Sequence, residues 1–301
     1  AEPGMPSPGH ESIAPLHALP LWLLLLGGAI NALGLFAFAT ALNDVLDYRR
    51  DAALQRDRPI PAGHISVQEA TTLIACTLGA AVLGATPLGT PAVLLTLAVA
   101  GAILLFNGLG KYVPAVGMVL LGLVYAGHMV VPNLNLRFIW PVWLVMTHTL
   151  AVEGLRHGLR RATPTISPRA IAASVLGWIF WSCVMFAVAW WRGLGQPTAL
   201  GGLWPEWVHP QAAIGPAILA ALFALWAWRK ARSHGRGPRV SEKIARYGSL
   251  WLALYACAWL IGQGYRTESI ILIALTLAGF LGMTVLREAY ALIELPFGYR
   301  R

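Results

Sequence analysis

All four aspartates of the chain, Asp44, Asp47, Asp51 and Asp57, fall within NDVLDYRRDAALQRDRPIPAG, the run from Asn43 to Gly63. Continued as a helix, this run sets Asp44, Asp47 and Asp51 at i, i+3 and i+7, three carboxylates along one face within reach of a common ligand. Like charges so placed repel, and the repulsion grows at the edge of a low-dielectric region. A bound cation relieves it. Mg²⁺ suits the arrangement, because this hard ion takes one or two carboxylates and completes its octahedron with water and substrate phosphate oxygens. An acidic face beside arginines therefore predicts a phosphorylated ligand. The alternative is a solvated helix end on which Arg50 pairs back to Asp47 and the other arginines screen the remaining charge.

The elements that must position these groups follow from composition. The 301 residues are 57% hydrophobic and 12% charged, too little polar surface to coat a soluble globule of this size. A bilayer is the expected solvent. Apolar runs near the length that crosses hydrocarbon fall at 19–42, 69–88, 91–107, 113–131, 138–155, 170–191, 212–229, 247–264 and 268–287. They are rich in Leu and Ala without alternating polarity, which predicts an all-α polytopic bundle of about nine transmembrane helices, not a strand barrel. Residues 1–18, with several prolines, form an extramembrane lead-in; 19–287 form the transmembrane domain and 288–301 a cytoplasmic tail.

The net charge of +9 has its own explanation. With the loop after the first helix placed in the cytoplasm, all but Arg137, Arg192 and Arg266 of the 22 Lys and Arg residues fall on that side. This positive-inside bias predicts an integral membrane protein of a prokaryotic-type inner membrane, its N-terminus outside and its C-terminus and Asp-rich loop inside. It leaves no excess to assign to nucleic acid; the basic loops 156–169 and 229–246 face lipid headgroups instead. Cys76, Cys183 and Cys257 lie far apart in apolar runs and read as small buried hydrophobes, not as a disulfide or metal set. The connection 193–211, with Trp204 and Trp207, reads as an interfacial loop, and the tryptophans in general as a belt.

The run Asn43 to Asp51, followed by Asp57-Arg58-Pro59-Ile60-Pro61-Ala62-Gly63, resembles the first signature of the UbiA superfamily of intramembrane prenyltransferases, NDxxDxxxD and then a DRPIPxG-like segment. Phe106-Asn107-Gly108-Leu109-Gly110-Lys111, with Pro114, Gly117 and Gly122, is similar to the family's short cytoplasmic loop with its basic residue. The resemblance implies transfer of a prenyl group from a polyprenyl diphosphate to an aromatic or other lipophilic acceptor within the membrane. It also implies roles: Asp44, Asp47 and Asp51 as the Mg²⁺-binding face, Asn43 as their polar partner, and Arg58 and Lys111 as diphosphate contacts.

The family's second acidic run has no aspartate here. The matching segment is His148-Thr149-Leu150-Ala151-Val152-Glu153-Gly154-Leu155-Arg156-His157, and no Asp follows residue 57. Two readings follow. In one, Glu153 and His157, which share a helix face, hold the diphosphate together with Arg156 and Arg160 through one metal and direct charge, and catalysis continues. In the other, the chain is a catalytically degenerate relative that serves a larger complex as a membrane subunit or binds a lipid, quinone or pigment. A transporter is disfavoured, since the spans hold few charged or broken positions for a midplane site. His128 and His148 lie within apolar runs, where an imidazole either bonds within the bundle or ligates a pigment metal.

Overall fold

The first helix is far longer than a membrane needs. In the computed structural model α1 runs Leu21–Leu54, 34 residues, or about 51 Å at 1.5 Å per residue, against a hydrocarbon core of about 30 Å. The apolar part is used up near Leu42, and the surplus of roughly three turns carries the Asp-rich run out of the apolar layer as continuous helix. Eight more α-helices follow among the described residues: α2 Val67–Ala85, α3 Thr90–Gly108, α4 Pro114–Val130, α5 Trp140–Arg160, α6 Pro168–Gly193, α7 Ile214–Ser233, α8 Pro238–Gly262 and α9 Arg266–Glu294. The structure describes residues 19–160, 165–194, 198–199, 202–233, 235 and 237–294. The expected lead-in 1–18 and the end of the expected tail, with Arg300 and Arg301, lie outside them.

The nine expected spans correspond one for one to these helices. Among the described residues seven stretches are long and apolar enough to cross a membrane, and α4 is apolar but shorter. Large apolar side chains stand exposed along them, among them Leu33, Phe36, Leu94, Leu176 and Leu286, as expected of surfaces that lipid covers. The fold is thus an all-α polytopic membrane protein. The ends differ from expectation where charge begins: α1 continues to Leu54, α5 to Arg160, and α8 starts at Pro238, so much of both basic loops is helical. A hydropathy window finds only the apolar part of a helix, whereas the hydrogen-bond ladder runs on past the membrane edge. Cys76 and Cys183 are exposed on their helices and only Cys257 is buried, so the expected burial holds for one of the three.

The chain divides into two compact units, residues 1–207 and 208–301. In the first, α1 packs chiefly on α2, with α3 beside both, and α4 packs on α5. The α1–α2 contact is close enough to exclude side chains. A Cβ on Gly84 would lie 2.5 Å from the Asn31 backbone nitrogen, and one on Gly34 would lie 2.7 Å from the Ala81 nitrogen. Asn31, 1% exposed, binds three helices: its Nδ2 donates to Ala81 O of α2 and to Thr96 Oγ1 of α3, both at 2.9 Å. Trp204, in the connection expected to be an interfacial loop held by its aromatics, is buried, edge-on to Phe138 at 5.1 Å and near Trp140 at 6.1 Å. Its strand, Trp204–Pro205, pairs antiparallel with Thr198–Ala199. In the second unit α8 packs on both α7 and α9, and the Trp251 indole donates to Leu219 O at 2.9 Å.

These contacts set the register of the helices that carry the site. Gly84→Leu is therefore expected to separate α1 from α2 and lower the thermal midpoint in detergent, with overpacking of about 1–3 kcal/mol or more. Asn31→Leu removes two buried hydrogen bonds and is expected to cost about 1–2 kcal/mol. An unchanged midpoint for both variants contradicts this packing.

Candidate active site

The surplus turns of α1 form one wall of a polar cavity of about 290 Å³ with Asn43, Asp47, Arg50 and Asp51. The loop between α1 and α2 contributes Gln55 and Arg58. That loop is folded by its own backbone: Ala62 N donates to Arg58 O at 2.8 Å and His64 N to Pro59 O at 3.0 Å, and the side chain of Ile60 is buried. A capping box closes it, in which Ser66 Oγ accepts from Glu69 N at 3.2 Å and Glu69 Oε2 accepts from Ser66 N at 2.8 Å.

The second wall is the short turn Gly110–Tyr112 between α3 and α4. A Cβ on Gly117 would meet Gly110 O at 2.5 Å, so a glycine there lets the turn fold back against α4. Lys111 thereby reaches α1: its ammonium donates to Asp47 Oδ1 at 2.7 Å and to Asn43 Oδ1 at 3.3 Å, and the Tyr112 hydroxyl donates to the same Asp47 oxygen at 3.2 Å. The Lys111 and Asp47 side chains are 15% and 12% exposed, a more buried ion pair than Arg58–Asp44 or Arg156–Glu153. The third wall is the C-terminal end of α5, where Glu153, Arg156, His157 and Arg160 fall at i, i+3, i+4 and i+7 on one face. These polar turns leave α5 out of the set of clearly membrane-crossing helices. Arg156 holds Glu153 with two hydrogen bonds, at 2.7 and 2.6 Å, and these raise the guanidinium pKa above its ordinary value.

Nine of the ten expected site residues line this cavity: Asn43, Asp47, Asp51, Arg58, Lys111, Glu153, Arg156, His157 and Arg160. Asp44 does not. It accepts from Arg58 Nη1 at 3.0 Å and lines an adjoining cavity instead. Among the described residues no three acidic, imidazole or thiol groups are grouped so as to hold a metal ion. The expected three-carboxylate face thus divides, because i to i+7 is about 10 Å along a helix axis, too far for one ion, and Arg58 draws Asp44 toward the adjoining cavity while Asp51 stays in this one. The alternative pairing of Arg50 with Asp47 is absent too, since Lys111 takes that carboxylate.

Asp51 is only 6% exposed, lines the cavity and makes no side-chain hydrogen bond or ion pair with a described residue. Its carboxylate, open to the cavity and without a protein partner among the described residues, is placed to meet a cation there. Together with Asp47 it supplies the one or two carboxylates that Mg²⁺ takes when phosphate oxygens and water fill the other positions, so these residues fit one such ion in company with a ligand. Charge favours the same ligand. Five basic side chains, Arg50, Arg58, Lys111, Arg156 and Arg160, face Asp47, Asp51 and Glu153. The sequence alone does not place Arg50, Gln55, Tyr112 or Phe106 in the site. The i+3 spacing of Arg50 from Asp47 and the adjacency of Tyr112 to Lys111 are the signals that point to two of them.

The adjoining cavity, about 510 Å³, lies between α1, α3 and α4 and is mainly apolar, with Leu35, Phe36, Val99, Ile103 and Leu121 in its walls. Asn43, Arg58 and Phe106 line both cavities, so a charged chamber and an apolar one meet at these three residues.

Comparison with known proteins gives this arrangement a family. A solved structure of a digeranylgeranylglyceryl phosphate synthase in membranes is similar in fold, with a TM-score of 0.50, 16% identity, and coverage of 84% of this chain and 90% of that one. No relative of curated function matches the sequence. The sequence model of the UbiA prenyltransferase family matches residues 9–240, more than two thirds of the chain, and includes the first motif, the Lys111 turn and the α5 face. The chain belongs to the UbiA prenyltransferase family.

Proposed function

We propose that the chain transfers a prenyl group from a polyprenyl diphosphate to a lipophilic acceptor in the membrane, with the diphosphate in the basic cavity. The single observation that carries this reading is the sharing of Asn43, Arg58 and Phe106 between a charged chamber and an apolar one. A reaction that parts a diphosphate from a prenyl carbon and joins that carbon to a lipophilic acceptor needs both environments, meeting at the bond that breaks.

In this reading Arg50, Arg58, Arg156 and Arg160 receive the diphosphate oxygens, and Lys111 keeps Asp47 oriented while adding its own charge. Asp47 and Asp51 hold a magnesium ion, which when bound withdraws charge from the leaving diphosphate. The C1–O bond breaks with its electron pair going to the diphosphate, leaving an allylic cation beside Phe106. An aromatic side chain at that point is suited to steadying positive charge. The acceptor then forms its bond to C1 and releases a proton. The apolar cavity takes the lipophilic part of a substrate. In the membrane the site opens to the cytoplasmic face, where the basic residues concentrate.

A second reading has its own observation. Asp44, Asp47 and Glu153 are each already paired, with Arg58, Lys111 and Arg156. A chamber so balanced without a ligand also suits a non-catalytic membrane subunit.

Turnover separates the two. Purified protein given Mg²⁺, labelled farnesyl or geranylgeranyl diphosphate and a panel of phenolic and quinol acceptors is expected to release pyrophosphate. Asp51→Asn is expected to slow release by about 100-fold or more, the scale of losing a group that stabilises transition-state charge. Release from no donor and acceptor pair contradicts the enzymatic reading and supports the subunit.

Arg50 distinguishes the present geometry from a solvated helix end. Arg50→Gln deletes one charge-assisted hydrogen bond to the diphosphate and is expected to raise the KM for the donor by about 10- to 100-fold, with a smaller change in kcat. Unaltered kinetics in this variant contradict the assignment of Arg50 to the diphosphate.

A further inference from the structure

The apolar cavity has a polar far end that the diphosphate chemistry does not use. Its polar lining near the charged chamber is engaged: Asn43 accepts from Lys111, Asp44 from Arg58, and Asn107 Nδ2 donates to Ile103 O at 3.1 Å. Thr40 likewise donates to Phe36 O at 3.0 Å. Tyr125 and His128 differ. Both line the cavity from α4, and neither side chain hydrogen-bonds a described residue; the Nδ1 of His128 is buried and unsatisfied. At i and i+3 they share one face of the helix.

Their depth follows from helix geometry. Met118 lines the charged chamber, and His128 lies ten residues farther along α4, about 15 Å at 1.5 Å per residue. His128 therefore marks the end of the slot remote from the diphosphate, and Tyr125, one turn nearer, lies between that end and the charged chamber. Unsatisfied polar groups in hydrocarbon are unfavourable, and few, well-placed polar groups in an apolar pocket serve to orient a ligand.

Resting on the prenyltransferase reading, we propose that Tyr125 and His128 are the anchoring end of the acceptor site. They hydrogen-bond a hydroxyl or carbonyl oxygen of a neutral, elongated lipophilic acceptor whose reacting atom lies near Asn43, Arg58 and Phe106. An isoprenoid tail carries no heteroatom for them to bond. A carboxylate or phosphate at that end would be buried without a cation, since the charged lining residues of the slot, Asp44 and Arg58, are at its mouth and paired. The acceptor class is thus a phenol, quinol or similar uncharged oxygen-bearing molecule.

The test uses the full chain in lipid nanodiscs, labelled with ¹⁵N-histidine, with the His128 resonance assigned by its loss in His128→Gln. The probes are 1-naphthol, naphthalene and, separately, inorganic pyrophosphate. The expected result is a shift of the His128 resonance by 1-naphthol and at least about tenfold tighter binding of 1-naphthol than of naphthalene, one hydrogen bond's discrimination. His128→Leu and Tyr125→Phe each reduce that preference, His128→Gln retains part of it, and pyrophosphate binding is unchanged in all three. Equal affinity of the wild-type protein for the two aromatic probes overturns the proposal whether or not the variants fold. Competitive displacement of 1-naphthol by farnesyl diphosphate, with a matching shift of His128, also overturns it by giving the slot to the prenyl tail. Failure of pyrophosphate to bind is a separate result and counts against the diphosphate chamber alone.

Discussion

The contact between Lys111 and Asp47 is the one on which the site depends. A carboxylate carried to the edge of an apolar layer is expensive unless a cation meets it, and here the cation comes from the turn between α3 and α4, 64 residues away in sequence. The pair fixes the exposed turns of α1 against that turn, and Asn43 and Tyr112 complete its hydrogen bonds. Removal of either partner leaves a nearly buried charge uncompensated, so the cost exceeds the net value of the pair.

Around that contact the site is a problem of charge balance at a boundary. The chamber holds more basic than acidic groups, and Asp51, whose carboxylate has no protein partner among the described residues, is beside the paired Asp47 on the same helix. An anion neutralises the first excess and a divalent ion the second, and a metal–diphosphate pair does both. The same balance explains the absence of aspartates from the α5 segment: Glu153 bound by Arg156, with His157 and Arg160 beside them, makes that wall a cationic surface instead of a second acidic one.

The helices were legible in the sequence because a bilayer leaves few choices. Each of the nine apolar runs is a helix, and the Asn43–Asp51 signature with the Lys111 turn led to the family whose sequence model matches residues 9–240. What local pattern does not carry is the end of a helix beyond the membrane edge and the partner of a charge. The i, i+3, i+7 spacing put Asp44, Asp47 and Asp51 on one face correctly, yet the face is about 10 Å long, and Arg58 draws Asp44 toward a different cavity. Arg50 looked like a partner for Asp47 because i−3 pairs are visible in sequence, whereas Lys111 becomes a neighbour only through the fold. Trp204 shows the same limit: its neighbour Phe138 is a tertiary partner that local sequence does not reveal.

The most direct test of the two-chamber account is a map of the protein in a lipid nanodisc with Mg²⁺ and a non-reactive farnesyl thiodiphosphate. The account places the diphosphate among Arg50, Arg58, Arg156 and Arg160, a metal at Asp47 and Asp51, and the first isoprene unit beside Phe106. Thiodiphosphate bound elsewhere, or a chamber still closed by its own ion pairs at saturating analogue, contradicts it.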